Sequence, residues 1–227
     1  MIKSVIFDLD GTLLDTSEGV ICSVKKMIEH FGYEELTNEE LETFIGPPIS
    51  KSVSRIYGVS DDEALEAMKF FRKQYTMDYD GENLPDLYKG KVYPEMEHTL
   101  QKFHEIGLKV GVATYKQEWM AQSLLKEKGL YEYFDVIHGS DSNGTLTKAD
   151  VVSMTIGELG HKSKETVMVG DSDNDAIGAQ GAGSLFIGVT YGFGFKKHED
   201  VEKYANIGVC NTADEILELV KNYNMMS

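Results

Sequence analysis

The chain has 227 residues, 41% of them hydrophobic, enough for one large domain or for one domain carrying a smaller inserted one. Its 38 acidic residues against 22 basic ones give a formal charge of −16, which leaves no basic patch for nucleic acid or an anionic membrane surface. No apolar run approaches the ~18 residues of a membrane span, no charged-then-apolar leader opens the chain, and Cys22 and Cys210 stand in no metal-ligand spacing. The expectation is a cytoplasmic protein with reduced thiols, a monomer or small homo-oligomer, with neither nucleic acid nor membrane as partner.

Val5-Ile6-Phe7 starts a strand that runs into Asp8-Leu9-Asp10-Gly11-Thr12. Residues two apart on a strand share a side, so Asp8 and Asp10 leave the sheet together at its carboxyl end. Two such charges repel, more so as they lose water, and they need hydrogen bonds, a shared proton or a cation. Next, Val20, Ile21, Val24, Met27, Ile28 and Phe31 fall at helical spacing, with Gly32 as C-cap. Thr37 to Glu40 reads as a capping box opening a helix through Phe44. Ser60 to Glu63 reads as a second, whose helix shares Ala64, Met68, Phe71 and Tyr75 on one face. No strand reads between Asp15 and about Lys91, which predicts an all-helical insert over residues 15–91 and a core made of 1–14 and 92–227.

Beyond the insert the rhythm alternates. A helix from Met96 to Ile106 leads to the strand LKVGVAT, the helix EWMAQSLLKEKG and the strand FDVIHG. The helix KADVVSMTIGELG, the strand TVMVGD, the helix NDAIGAQGAG, the strands SLFIGVTYG and IGVC and the helix TADEILELVKNY complete the chain. Strands alternating with helices predict an α/β fold, a parallel sheet covered on both faces. Ligands bind such sheets outside the carboxyl ends of the strands. The residues just past each apolar run are Asp8 and Asp10, then Thr114-Tyr115-Lys116, then Asp171 with Asp175 one helical turn on; Lys148 stands before the helix at KADVV.

Four carboxyl groups in one crevice suit Mg²⁺, a hard cation that takes a few carboxylates and keeps its waters. A carboxylate can also attack phosphorus, splitting one displacement into two, while a neighbouring carboxyl supplies and later removes a proton. Asp8 as nucleophile and Asp10 as acid/base fit that division, and Gly11 would let the backbone approach a phosphate. Lys148 can neutralise the phosphoryl charge as a point cation, with Lys116 as its rival, and the Thr114 hydroxyl can donate to a phosphoryl oxygen.

DLDGT, VATYK, the Lys148 region and VGDSDND, in that order, resemble the four motifs of the haloacid dehalogenase superfamily of phosphatases, over essentially the whole chain. The resemblance implies a Rossmann-like core and phosphoaspartyl chemistry with Mg²⁺ on a small phosphorylated metabolite. It implies Asp8 as nucleophile and metal ligand, and Asp10 as acid/base and ligand through its carbonyl. Asp171 becomes a ligand, Asp175 a supporting acid, and Thr114 and Lys148 the phosphoryl-binding pair. The insert is similar to the helical cap of the subgroup containing phosphoglycolate phosphatase and β-phosphoglucomutase. GPPI and GVTYGFG look most like phosphoglycolate phosphatases or related nucleotidases. The Lys148 segment lacks the Pro common in relatives, and Tyr115 stands where a small residue is frequent, so that it narrows the pocket. The second Asp sets aside a dehalogenase, whose leaving halide needs no acid. Thr12 favours phosphatase over the mutase, which remains the alternative together with a non-catalytic phosphoacceptor or metal-binding domain. Cap residues Thr16-Ser17-Glu18, Gly46-Pro47-Pro48, Lys51 and Arg55 are the candidates for choosing among phosphoglycolate, a nucleoside monophosphate and pyrophosphate.

Overall fold

The computed structural model describes residues 1–77, 85–142 and 144–226 and divides the chain into two compact units, one formed by Met1–Asp15 with Val92–Ser227, the other by Thr16–Lys91.

The first unit is built on strand β1 (Ser4–Phe7), all four residues of which are buried. After β2 (Leu14–Asp15) the chain enters the second unit, and it returns through β3 (Lys91–Val92), which pairs with β2. Then follow α5 (Met96–Glu105), β4 (Lys109–Gln117), α6 (Glu118–Glu127), β5 (Val136–Ser140), α7 (Lys148–Leu159), β6 (Thr166–Gly170) and α8 (Asp173–Ala182). β7 (Leu185–Val189), the short α9 (His198–Val201), β8 (Gly208–Cys210) and α10 (Ala213–Met226) end the chain. The six-stranded sheet has the order β5-β4-β1-β6-β7-β8 and its pairings are parallel, so the α/β reading of the sequence holds.

Alternation along β1 assigns the two faces. Ile6 lies in a core with Val151, Val152 and Ile156 of α7 and Ala176 and Ala179 of α8. Phe7 turns the other way, its ring 6.2 Å from that of Phe103 on α5. Burying a side chain of this size contributes about 2–3 kcal/mol. The order also puts β1 between β4 and β6. The carboxyl end of β1 is therefore flanked by those of β4 and β6, and three of the sequence motifs meet there.

The second unit contains α1 (Ser17–Phe31), α2 (Asn38–Glu42), α3 (Ile49–Tyr57), α4 (Asp61–Thr76) and a 3₁₀ turn over Asp86–Lys89. Gly32 is left-handed at φ 66° and ends α1, as its place after the apolar stripe predicts. Thr37 and Glu40 form the reciprocal capping box, but α2 stops at Glu42 rather than Phe44, because Thr43 already closes on Glu40 through both its backbone N–H and its hydroxyl. Ser60 accepts from the Glu63 backbone N–H. Asp86 binds the turn to α1: it accepts from Ser23 Oγ at 2.7 Å, Lys26 Nζ at 2.9 Å and Lys89 Nζ at 2.8 Å. Burial works against that carboxylate, but Lys89, Lys26 and Ser23 outweigh it and hold its pKa below the usual range.

Candidate active site

Asp8 stands one residue past β1, on the side that Ile6 presents to α7 and α8, and those two helices supply what meets it. Lys148, the first residue of α7, places Nζ 2.6 Å from Asp8 Oδ1 and 2.8 Å from Asp175 Oδ1 on α8. The lysine side chain is 4% exposed, so the ammonium works in a low-dielectric setting. Its stem needs room. A Cβ on Gly178 would press on the Lys148 side chain. Tyr115 adds a further hold, since its hydroxyl accepts from the Lys148 backbone N–H at 3.0 Å and its ring centroid lies 5.5 Å from Nζ. The sequence reading had Tyr115 narrowing a pocket; its contacts here fasten Lys148.

Asp175 is fixed on both sides. Oδ2 accepts from Ser172 N at 3.1 Å and Ser172 Oγ at 2.7 Å, a capping box, while Oδ1 takes the lysine. Asp171 hangs from β6 differently. Its Oδ2 accepts the backbone N–H groups of Phe193 at 2.7 Å and Gly194 at 3.0 Å, and its Oδ1 receives the Thr12 hydroxyl at 3.4 Å. Gly11, with φ 86°, turns its open side to this carboxylate, which a Cβ would strike. Its N–H donates to the Leu14 carbonyl at 2.9 Å. Thus the space expected to admit a phosphate holds Asp171, because the turn after Asp10 closes back on Leu14.

The loop after β7 escaped the sequence reading as part of the site. Tyr191 donates from its hydroxyl to the Thr12 carbonyl at 2.9 Å, and Gly192 abuts both the Gly11 carbonyl and Asp171. The two glycines flanking Phe193 were the available signal, since consecutive backbone N–H groups approach an anion closely where side chains are missing. Gly192→Ala should therefore displace Asp171, lowering affinity for a divalent cation by about 10-fold or more; calorimetric titration of the metal-free protein checks this.

Asp10 stands nearby, its Oδ1 3.1 Å from Lys116 Nζ, with both side chains under 10% exposed (8% and 7%). Thr114 is buried and its hydroxyl accepts from the Lys116 backbone N–H at 3.2 Å. The two lysines thus pair with different carboxylates: Lys148 with Asp8 and Asp175, Lys116 with Asp10. The candidate specificity residues belong to the second unit, where Arg55 donates to the Thr43 hydroxyl at 2.9 Å and Glu18 lies 3.4 Å from Lys91.

Four carboxylates against two ammonium groups leave two negative charges, the complement of one divalent cation. Oxygens of Asp8, Asp171 and Asp175 lie within 4.8 Å of one another, all buried. Hard oxygen donors at this spacing fit such a cation. The protonation balance points the same way. Burial raises Asp8 to about 8, with Lys148 lowering it and Asp175, Asp171 and Asp10 adding to the rise. Burial and Asp175 raise Asp171 to about 7 against the pull of the Gly194 and Phe193 N–H groups. For Lys148 burial opposes the charge, but Asp175 and Asp8 outweigh it and hold its pKa above the usual lysine value.

These raised carboxyls have a direct consequence for stability. An unfolded Asp releases its proton near pH 4, whereas the folded chain keeps two until about pH 7 and 8. Their contribution is complete below about pH 4 and is lost as pH rises through 7 to 8, by about 1.4 kcal/mol per pH unit for each extra proton bound. In chelator, Tm should fall by several degrees between pH 6 and pH 8.5, and a millimolar divalent cation should flatten that slope. A melt series with and without metal measures both; a Tm that rises with pH in chelator contradicts the raised pair.

Comparison with known proteins adds family to geometry. The family described as haloacid dehalogenase-like hydrolase matches residues 5–189. A phosphoglycolate phosphatase of Neisseria meningitidis is 35% identical over 197 residues, covering 85% of this chain and 82% of that protein. A 5'-nucleotidase of Pseudomonas aeruginosa is 31% identical over 192 residues, covering 84% of each. Among solved structures, that of a predicted phosphatase from Clostridium acetobutylicum superimposes with a TM-score of 0.89 at 32% identity, covering 98% of this chain and 100% of that one. Among the described residues no helix is long and apolar enough to cross a membrane.

Proposed function

Because the chain belongs to the haloacid dehalogenase-like hydrolases and is a phosphoric monoester hydrolase, we propose that it cleaves a small phosphomonoester through an aspartyl-phosphate on Asp8. Mg²⁺ is the proposed cofactor, held by Asp8, Asp171 and the Asp10 carbonyl; when bound it neutralises phosphoryl charge as a Lewis acid. The observation that carries the reading is the buried set of Asp8 with Lys148 at 2.6 Å and Asp10 two residues on. Asp175 Oδ2 is taken by the Ser172 donors and Oδ1 lies 2.8 Å from Lys148 Nζ as an ion pair, which suits that residue to anchoring Lys148.

An Asp8 oxygen attacks phosphorus, and the bond from phosphorus to the ester oxygen breaks. The departing oxygen takes its proton from the Asp10 carboxyl, leaving a free alcohol and a phosphorylated Asp8. Water then attacks the same phosphorus and gives a proton back to Asp10. The bond between phosphorus and Asp8 breaks, and inorganic phosphate is released. Lys148, no longer needed to balance an ionised Asp8, follows the charge onto the phosphoryl oxygens, and the Thr114 hydroxyl is the added donor. The relatives make phosphoglycolate and nucleoside monophosphates the first compounds to try.

Phosphate release from phosphoglycolate, nucleoside monophosphates, sugar phosphates and pyrophosphate, with Mg²⁺ and with chelator, tests this. Turnover of at least one compound is expected, lost in chelator and restored by Mg²⁺. Release that persists unchanged in chelator would remove the cofactor from the reading, and no release at all would remove the reaction.

A further inference from the structure

Two lysines enter the site, and only one is needed for the phosphoryl group. Lys148 is locked by Asp8, Asp175 and Tyr115. Lys116 is spent on a different carboxylate, with Nζ 3.1 Å from Asp10 Oδ1 and its side chain 7% exposed. Holding an ammonium out of water is costly unless opposite charge meets it; Asp10 meets it while ionised, and whenever Asp10 carries the proton that it passes to the ester oxygen, Lys116 needs another anion.

The position of Asp10 decides what Lys116 can touch. Resting on the reaction proposed above, the ester oxygen must come within a hydrogen bond of the Asp10 carboxyl to receive its proton. An atom one or two bonds beyond that oxygen then falls within a few ångströms of the Lys116 ammonium. A carboxylate or second phosphoryl group there gives the lysine a further anionic acceptor besides Asp10, in a low dielectric where the pairing is strong. A sugar or nucleoside offers no such charge and must lie against a desolvated cation. Thr114 reinforces the placement: its hydroxyl accepts the Lys116 backbone N–H at 3.2 Å and sets the strand end from which the side chain departs.

We propose that Lys116 is the specificity-determining residue of the site, selecting phosphoesters or phosphoanhydrides whose leaving group carries its own anionic oxygen next to the scissile bond. Phosphoglycolate and pyrophosphate are of this class, and glycerol phosphate and nucleoside monophosphates are not.

The test compares Lys116→Met, Lys116→Arg and the unaltered chain on phosphoglycolate and on glycerol phosphate, in Mg²⁺. Lys116→Met leaves Asp10 without this partner and so slows both compounds, but it should lower kcat/KM for phosphoglycolate by about 10- to 100-fold more than for glycerol phosphate, the excess appearing mainly in KM. Lys116→Arg should keep most of the preference. An equal loss on both compounds would make Lys116 a counter-ion of Asp10 alone and overturn the proposal, as would no loss on either. Should a variant melt below the assay temperature, calorimetric binding of phosphoglycolate against glycerol phosphate to Asp8→Asn, with and without 0.5 M salt (about a 4 Å Debye length), reads the same selectivity. Equal affinities there overturn it too. If the unaltered chain releases phosphate from neither class, the reaction itself has failed, and that result stands apart from a lost selectivity.

Discussion

Asp8→Asn should lower phosphate release by about 10⁴-fold or more while the protein stays folded. An amide oxygen is a poor nucleophile and its nitrogen cannot take the role, so the covalent step has no substitute. The same variant should melt higher than the unaltered protein in chelator at pH 8.5. At that pH the Asp8 carboxyl ionises against burial and against Asp175, Asp171 and Asp10, and the amide removes that cost. Lys148 keeps Asp175 at 2.8 Å as its partner, so no ammonium is orphaned. Activity assays and thermal melts on one preparation measure both. Retention of even a few per cent of activity would show that Asp8 is not the nucleophile, and a lower Tm would show that its charge is not under strain.

Lys148→Met carries the second large effect, with the opposite sign on stability. The substitution leaves Asp8 and Asp175 buried with no ammonium between them, and breaking a buried pair by removing one partner costs about 3–5 kcal/mol. The loss should grow as pH rises in chelator, because Asp8 no longer has the ammonium that lowers its pKa, and Mg²⁺ should recover part of it by bringing opposite charge back. The rate should fall by about 10²- to 10³-fold, the usual effect of deleting one fixed charge aimed at a developing anion. Lys148→Arg should rescue poorly, because the lysine stem runs so close to Gly178 that even a Cβ there would strike it, and Asp8 and Asp175 hold Nζ at 2.6 and 2.8 Å where a broader guanidinium must displace them. Urea midpoints and phosphate release decide. Near-normal rates in Lys148→Met would pass the phosphoryl role to Lys116.

The sequence made the strand ends legible because each functional residue sits one or two places past an apolar run, where the fold leaves no other use for a charged side chain. Asp8 and Asp171 are of this kind, whereas Lys148 opens α7 and was legible only as the residue before a helix. Period-two alternation did not reach Thr114 and Lys116, because the pairing of β4 with β5 is irregular between Ala113 and Gln117. What stayed hidden depends on tertiary closure. The N–H groups of Phe193 and Gly194 donate to Asp171, but backbone donors carry no side-chain signature. Helix α3 followed a Pro-Pro pair that reads as a turn, although Gly58 marks its end with a left-handed φ of 66°. β2 and β3, two residues each, are too short for any pattern.

The strand that carries the nucleophile is made first and paired late. Ser4 finds its partners only at Lys109 and Thr166, after the whole of the second unit and two further strands have been synthesised. Thr16–Lys91 is one continuous segment, so its helices can pack on one another before β4 or β6 exists. Val5-Ile6-Phe7 must meanwhile wait with two bare edges, an aggregation hazard whose duration is set by the rate of translation. The acidic balance of the chain, which contributes nothing to the sheet itself, protects that nascent state through like-charge repulsion between neighbouring chains.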